Sequence, residues 1–172
     1  KENRPTTIAT FEPGTKLLAV RAPDDGTADA TLQGVTEYFE LDDASRVSFL
    51  DTGLRSRLED ACVDGYSTLQ LRHMTEPANT KEIEVRSKEP DPGRVSDVRA
   101  DSIVEDLLLR DDTELDRATG LISVPTRLHT AETGELFQPR VTIYFAAGRV
   151  TFEQFVPEQI LLDVDDIVRN AV

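Results

Sequence analysis

The stretch RVTIYFAAGRVTFEQ, residues 140–154, decides the predicted fold. Apolar and polar side chains alternate on both sides of Ala146-Ala147-Gly148, which is the pattern of two antiparallel strands joined by a short turn. A helix is predicted to begin at Pro157, because proline favours the first helical position. Its apolar side chains recur at helical spacing and would pack on the apolar face of the hairpin. They are Ile160, Leu161, Val164, Ile167 and Val168.

Similar patterns predict the remaining strands and helices. The other predicted strands are residues 16–21, 31–41, 46–50, 67–74, 81–86 and 121–128. A turn is predicted at Pro23-Asp24-Asp25-Gly26. We predict a helix from Asp51 or Thr52 to Asp64, ended by Gly65, and another that begins at Ser102 with the spacing of a capping box. Residues 88–94 contain two prolines and a glycine and are interpreted as a linker.

Two segments of the chain resemble each other. VTEYF at residues 35–39 matches VTIYF at residues 141–145. A short turn follows each of them, and then RVSF at residues 46–49 matches RVTF at residues 149–152. Each segment is also followed by a predicted helix, so the shared unit would have the order β-β-β-α.

This similarity predicts an internal duplication over residues 15–65 and 121–172, with a hairpin, a linker and a helix between them over residues 66–120. The alternative is convergence, because amphipathic hairpins draw on the same few residue types. The match of Glu37 with Ile143 favours convergence, since both positions should face the core.

The predicted elements indicate an α+β fold in a single domain, residues 1–172. Short turns allow antiparallel pairing, whereas parallel strands need long crossovers. We therefore expect mainly antiparallel sheet, built from the two possible β-β-β-α units, with helices packed on one side. One continuous sheet and two smaller sheets remain open as alternatives.

The charge of the chain is strongly negative. It has 33 acidic and 19 basic residues, a net charge of −14, and 15 of the basic residues are arginine. Because an acidic, lysine-poor surface stays soluble in concentrated salt, we predict a halophilic, archaeal protein. The alternative is an acidic protein from a GC-rich bacterium, where arginine also displaces lysine. Direct binding of nucleic acid is not expected, because it needs a basic surface.

Composition also bears on the cellular compartment. The single cysteine, Cys62, excludes an internal disulfide and suits a reducing compartment. Residues 1–10 are polar and lack the apolar region of a secretory signal. No apolar run approaches the about 20 residues that a membrane helix needs. We therefore expect a cytoplasmic protein without a membrane partner.

No sequence motif specifies a reaction. The chain has no Gly-rich phosphate loop, paired-cysteine metal pattern or nucleophile elbow, so we predict no cofactor and no metal site. Cys62 is interpreted as a core residue and His73 as a half-buried residue on a strand. The acidic runs around Asp111 and Asp163 are interpreted as solvated surfaces, because neither has the spacing of a calcium loop.

One group of side chains is predicted to form a binding site on a sheet. Period-two alternation places alternate residues of the last three predicted strands on the face opposite the core. If these strands are neighbours, that face collects Arg127, His129, Arg140, Tyr144 and Arg149. Guanidinium groups bind carboxylate or phosphate through paired hydrogen bonds, which predicts docking of an acidic partner surface or a small anion. The alternative is ordinary ion pairs with Glu132, Glu135 and Glu153.

These observations favour a non-catalytic interaction or regulatory module, such as an adaptor or an oligomer subunit, that binds a protein partner or self-associates. One alternative is a hydrolase whose carboxylates are scattered along the sequence, or in which His73 and His129 meet; its catalytic residues would be unknown. Another alternative is a nucleic-acid-associated factor that acts through a partner.

The charge predicts that stability depends on salt. Self-repulsion destabilises a compact acidic chain, and the Debye length falls from about 10 Å at 0.1 M salt to about 3 Å at 1 M. We expect the urea midpoint of unfolding to rise between about 0.1 M and 1 M KCl. Sucrose at equal osmolality is the control, because it stabilises by exclusion without screening charge. An equal rise in sucrose and KCl would contradict the prediction.

Overall fold

The structure is a computed structural model that describes residues 8–12, 17–41, 47–50, 52–73, 82–87, 97–129, 134 and 136–170. By its contacts the chain divides into two compact units, Lys1–Arg46 and Val47–Ala171. Within the described residues, no helix combines the length and the apolar character needed to cross a membrane.

The first unit contains a two-stranded sheet and a helix. β1 (Ile8–Glu12) and β2 (Leu17–Arg21) pair in antiparallel fashion. β2 matches the strand predicted over residues 16–21. α1 (Asp25–Tyr38) follows it after a short connection.

Helix α1 occupies most of the range in which we predict a strand, residues 31–41, so that prediction is wrong. Asp24, predicted to lie in a turn, is the N-cap of the helix, and its carboxylate accepts a hydrogen bond from the Thr27 N–H at 2.8 Å. The hydroxyl groups of Thr31 and Thr36 donate to carbonyl groups one turn earlier. Residue types that favour strands thus lie in a helix, and the Asp24 cap stabilises its first turn.

The second unit is built on a five-stranded antiparallel sheet. Its strands are β3 (Cys62–His73), β4 (Glu82–Arg86), β5 (Thr113–Ile122), β6 (Arg140–Tyr144) and β7 (Arg149–Phe152). Their spatial order is β4-β3-β5-β6-β7, and each neighbouring pair is antiparallel. The predicted α+β class and both predicted hairpins, β3–β4 and β6–β7, are confirmed.

Three helices of this unit contribute to a core on one face of the sheet. They are α2 (Thr52–Ala61), α3 (Ser102–Leu108) and α4 (Glu158–Arg169). Their buried apolar side chains join alternate residues of the strands in one cluster. Its most deeply buried members include Leu54, Leu58, Leu69, Leu71, Val104, Ile122, Val141 and Ile143. The helices therefore pack on one side of the sheet, as predicted.

Most of strand β5 was not predicted, and the strand predicted over residues 121–128 is wrong beyond Ile122, where β5 ends. The pairing of β5 with β3 shifts register between Leu115 and Arg117, which leaves Asp116 as an extra, bulged residue. The bulge interrupts the period-two pattern. Alanine and glycine also occupy two of the buried positions that follow, so the strand gives a weak hydrophobic signal.

The two similar segments differ in structure. VTEYF lies at the end of α1, whereas VTIYF covers most of β6. RVTF forms β7, but residues 47–50 lie outside any strand, so the strand predicted over residues 46–50 is wrong there. In the described part of residues 15–65, the order is β2, α1, α2 and the start of β3. The similarity in sequence is therefore not matched by a β-β-β-α order in both places.

Gly65 lies inside β3 instead of ending a helix. α2 ends at Ala61, and β3 begins at the next residue. Gly65 has a φ of +74°, which strongly favours glycine. A Cβ atom there would also overlap the carboxyl group of Asp97, just before the short 3-10 helix Val98–Ala100. Position 65 therefore requires glycine for its backbone angle and for the space that Asp97 occupies.

We expect Gly65→Ala to lower the free energy of unfolding by about 2–4 kcal/mol, because the strain of a positive φ is added to the steric overlap. Gly134→Ala is the matched control. Gly134 has a φ of +68°, and no atom of the described residues lies within 4 Å of the added Cβ, so its loss should be near 1 kcal/mol. Urea unfolding measures both values. Equal losses would contradict the role assigned to Asp97.

Candidate functional site

The sheet of the second unit has a polar face, formed by side chains that alternate with those of the core. Directly paired residues project from the same side of a sheet, so the strand registers define the members. They are Thr68, Gln70, Arg72, Glu82, Glu84, Arg86, Glu114, Arg117, Thr119, Leu121, Arg140, Thr142, Tyr144, Arg149 and Thr151. We call this set the polar face.

One row across the polar face is cationic. Arg117 on β5 pairs with Tyr144 on β6, and Tyr144 pairs with Arg149 on β7. The guanidinium carbon of Arg149 lies 3.8 Å from the centre of the Tyr144 ring, a close cation–π contact. We call these three residues the cationic row.

Two arginines of the polar face form ion pairs whose distances are longer than a hydrogen bond. Arg117 Nη2 lies 3.7 Å from Glu84 Oε2, and Arg140 Nε lies 3.8 Å from Glu153 Oε2. Charge-assisted hydrogen bonds are shorter, at about 2.7–2.9 Å. Ion pairs between side chains as exposed as these contribute at most about 1 kcal/mol. Both guanidinium groups can therefore turn toward an external anion at little cost.

A row of threonines runs beside the cationic row. Thr68, Thr119, Thr142 and Thr151 are successive partners across β3, β5, β6 and β7. The hydroxyl oxygens of Thr119 and Thr142 are 2.9 Å apart, and the Thr151 hydroxyl donates to the Thr142 carbonyl at 3.3 Å. The centre of the polar face is thus lined by short, hydroxyl-bearing side chains.

The structure brings together part of the predicted patch. Arg140, Tyr144 and Arg149 share the polar face, whereas Arg127 and His129 lie in the connection between β5 and β6 and are exposed. His129 forms an isolated bridge with Leu136. The placement of Arg127 and His129 on the sheet is wrong, because β5 ends before them. Sequence reasoning missed Arg117, since the strand that carries it was not predicted.

Buried Asp163 anchors the connection that carries Arg127. Its carboxylate accepts a hydrogen bond from the Thr126 N–H at 2.7 Å, and the residue is only 7% exposed. The interpretation of Asp163 as part of a solvated acidic surface is therefore wrong. α4 uses this carboxylate to hold a loop backbone.

A second polar cluster is centred on Arg99. Its guanidinium group donates to both carboxylate oxygens of Asp97 at 2.8–3.0 Å. It also lies 4.7 Å from the centre of the Tyr66 ring and 3.6 Å from a carboxylate oxygen of Glu59. Asp97 accepts a further hydrogen bond from the Tyr66 N–H at 3.2 Å. The cluster joins α2, β3 and the 3-10 helix, which indicates a structural role.

Burial keeps the titratable side chains next to this cluster protonated. It raises the pKa of the Cys62 thiol to about 12 and raises the pKa of the Tyr66 phenol above its usual value. The thiolate is the nucleophilic form of cysteine, so Cys62 is not activated for catalysis. The interpretation of Cys62 as a core residue is confirmed, although it is the first residue of β3.

In the part of the chain that the structure describes, no group of three or more His, Cys, Asp or Glu side chains could hold a metal ion. No family model matches the chain, and no curated protein or solved structure matches it significantly.

The Arg99 cluster should contribute to the loss of fold stability at acidic pH. Partial burial raises the pKa of Asp97, but hydrogen bonds from the Arg99 side chain and from backbone N–H groups outweigh it, so the pKa is lowered overall. A carboxyl with a lowered folded-state pKa stabilises the fold above its unfolded pKa of about 4 and loses this contribution as the pH falls through the folded value. Asp97→Asn should lower the free energy of unfolding at pH 7 by about 1–3 kcal/mol. It should also weaken the decline of stability below about pH 5.

Asp101→Asn is the control for this measurement. Asp101 caps α3 by accepting from the Ile103 N–H at 2.9 Å, and asparagine caps a helix about equally well. Urea unfolding at several pH values compares the variants. If Asp97→Asn had the stability and pH profile of the unchanged protein, the role of the cluster would be refuted.

Proposed function

We propose that the protein is a non-catalytic interaction module whose polar face docks an acidic segment of a partner protein. The observation that carries the proposal is the cationic row, Arg117, Tyr144 and Arg149, held side by side on three strands. The guanidinium fork matches a carboxylate in geometry and charge.

The charge of the whole chain makes this row unusual. An anion approaching a chain of net charge −14 is repelled at long range. Binding of an acidic group therefore needs a local surface where cations outnumber anions. The cationic row supplies two guanidinium groups to such a surface, and Arg140 adds a third on the same strand as Tyr144.

An acidic protein segment fits the polar face better than a small anion does. Pockets for small ligands are concave and bury most of the ligand surface. The face of a sheet instead offers a broad platform, on which arginines and threonines are distributed over several strands. A small anion remains the second candidate, since the cationic row alone could hold one carboxylate or phosphate.

The proposed setting is the salt-rich, reducing cytoplasm of a halophilic archaeon. The acidic, arginine-rich composition and the buried free thiol of Cys62 support this setting. In concentrated salt, attraction between separated charges is screened within about 3 Å at 1 M. Docking there depends on direct contacts, which arginine forks make well.

The proposal is tested with a fluorescent, all-glutamate peptide of about eight residues, against a neutral glycine-serine peptide of equal length, by anisotropy in about 0.2 M and 1 M KCl. The acidic peptide should bind and the neutral one should not. Arg117→Gln combined with Arg149→Gln should weaken binding about tenfold or more, since two charge-assisted contacts are lost.

Arg110→Gln is the matched control, because it makes a single Arg-to-Gln change away from the polar face, in the turn after α3. Its affinity for the acidic peptide should stay within about twofold of the unchanged protein. The proposal fails if the two peptides bind alike, or if Arg110→Gln weakens binding as much as the paired change does.

A further inference from the structure

We infer that the docked segment is extended, lies along β6, and carries two acidic side chains four residues apart. This inference rests on the proposed function and specifies the chemistry of its partner. It follows from the positions of the cationic side chains along β6. Arg140 lies at one end of the strand, and the cationic row crosses it at Tyr144, at the other end.

The spacing of these two cationic positions sets the spacing of the partner's acids. Arg140 and Tyr144 are four residues apart on one strand, which corresponds to about 13–14 Å at 3.4 Å per residue. An extended segment has the same rise, and its side chains at i and i+4 point to the same side. Its two carboxylates can therefore meet Arg140 and the cationic row together.

A helical segment does not match this spacing. Along a helix, four residues cover only about 6 Å, so one turn cannot reach both cationic positions. In an extended segment, acids three residues apart would point to opposite sides. The polar face therefore distinguishes an i, i+4 pair on an extended backbone from the other arrangements.

The middle residue between the two acids, at i+2, would face the threonine row. Thr142 lies midway between Arg140 and Tyr144, with Thr119 and Thr151 as its cross-strand partners. These side chains are short and their hydroxyl groups are already close to one another. A small or hydroxyl-bearing residue at i+2 of the segment fits this position, whereas a third acid there would have no cation beneath it.

The experiment uses two synthetic peptides of identical composition, rich in threonine and valine to favour extended backbone, with blocked ends. In one, two aspartates are four residues apart; in its isomer they are three residues apart. Anisotropy titration of the full chain should show about tenfold tighter binding of the four-apart peptide, since the isomer can engage one cationic position only.

Variants then assign each aspartate to its cationic position. In Arg140→Gln, replacing one particular aspartate of the four-apart peptide by asparagine should have no further effect, while replacing the other should still weaken binding. In the Arg117→Gln and Arg149→Gln combination, which removes both guanidinium groups of the cationic row, the roles of the two aspartates should be exchanged. The control variant Arg110→Gln should retain sensitivity to both replacements.

The outcomes separate this inference from the proposed function. Equal affinity for the two isomers, with both weakened in the Arg117→Gln and Arg149→Gln combination, would overturn the spacing inference and leave the docking function intact. No binding of either isomer or of the all-glutamate peptide would overturn both. If light scattering in molar KCl showed a dimer that Arg149→Gln dissociates, the occupant would be a second copy of the chain, and the peptide inference would be wrong.

Discussion

The close pairing of β3 with β5 determines how the sheet of the second unit is arranged. A Cβ atom on Gly120 of β5 would lie 2.7 Å from the carbonyl oxygen of Gly65 on β3, so the two backbones can approach this closely only because position 120 is glycine. The absence of a Cβ atom at Gly65 also leaves the space in which the Asp97 carboxylate bonds to Arg99. With this end of the pairing fixed, the bulge at Asp116 decides which residues of β5 face the core.

That register in turn creates the cationic row. Because β5 has its bulge before Arg117, the side chain of Arg117 projects on the same side as Tyr144 of β6. Arranging two arginines around one tyrosine on neighbouring strands brings like charges together, which destabilises a sheet. The cation–π contact of Arg149 offsets part of this cost, and the negative field of a −14 chain lowers the repulsion further. The fold can therefore accommodate the two neighbouring arginines of the cationic row, whose side chains lie on the face opposite the core.

The sequence predicted those helices and strands whose apolar residues recur at regular spacing within a short segment. The β6–β7 hairpin and α4 have regular apolar spacing, so their existence and their buried faces could be predicted. α1 was missed because the strand preference of its valine, threonine and aromatic residues concealed the helix cap at Asp24. β5 was missed because its bulge and its small buried residues remove the alternation. Three residues of the candidate site, Arg140, Tyr144 and Arg149, could therefore be placed on one face from the sequence, whereas Arg117 could not, because only the register reveals it. Arg127 and His129 were predicted on that face but lie in the connection between β5 and β6.

The predominance of arginine links the proposed salt adaptation to the proposed docking. A lysine ammonium is strongly hydrated and acts as a point charge, so its attraction for a carboxylate is largely screened in concentrated salt. A guanidinium group is weakly hydrated, forms paired hydrogen bonds and stacks on aromatic rings, as Arg149 does on Tyr144. These interactions act at contact distance, where screening by salt is least effective. The arginine-rich composition that we propose as a salt adaptation therefore also favours the kind of cation that can bind carboxylates at contact distance, and the cationic members of the polar face, as the strand registers define it, are arginines.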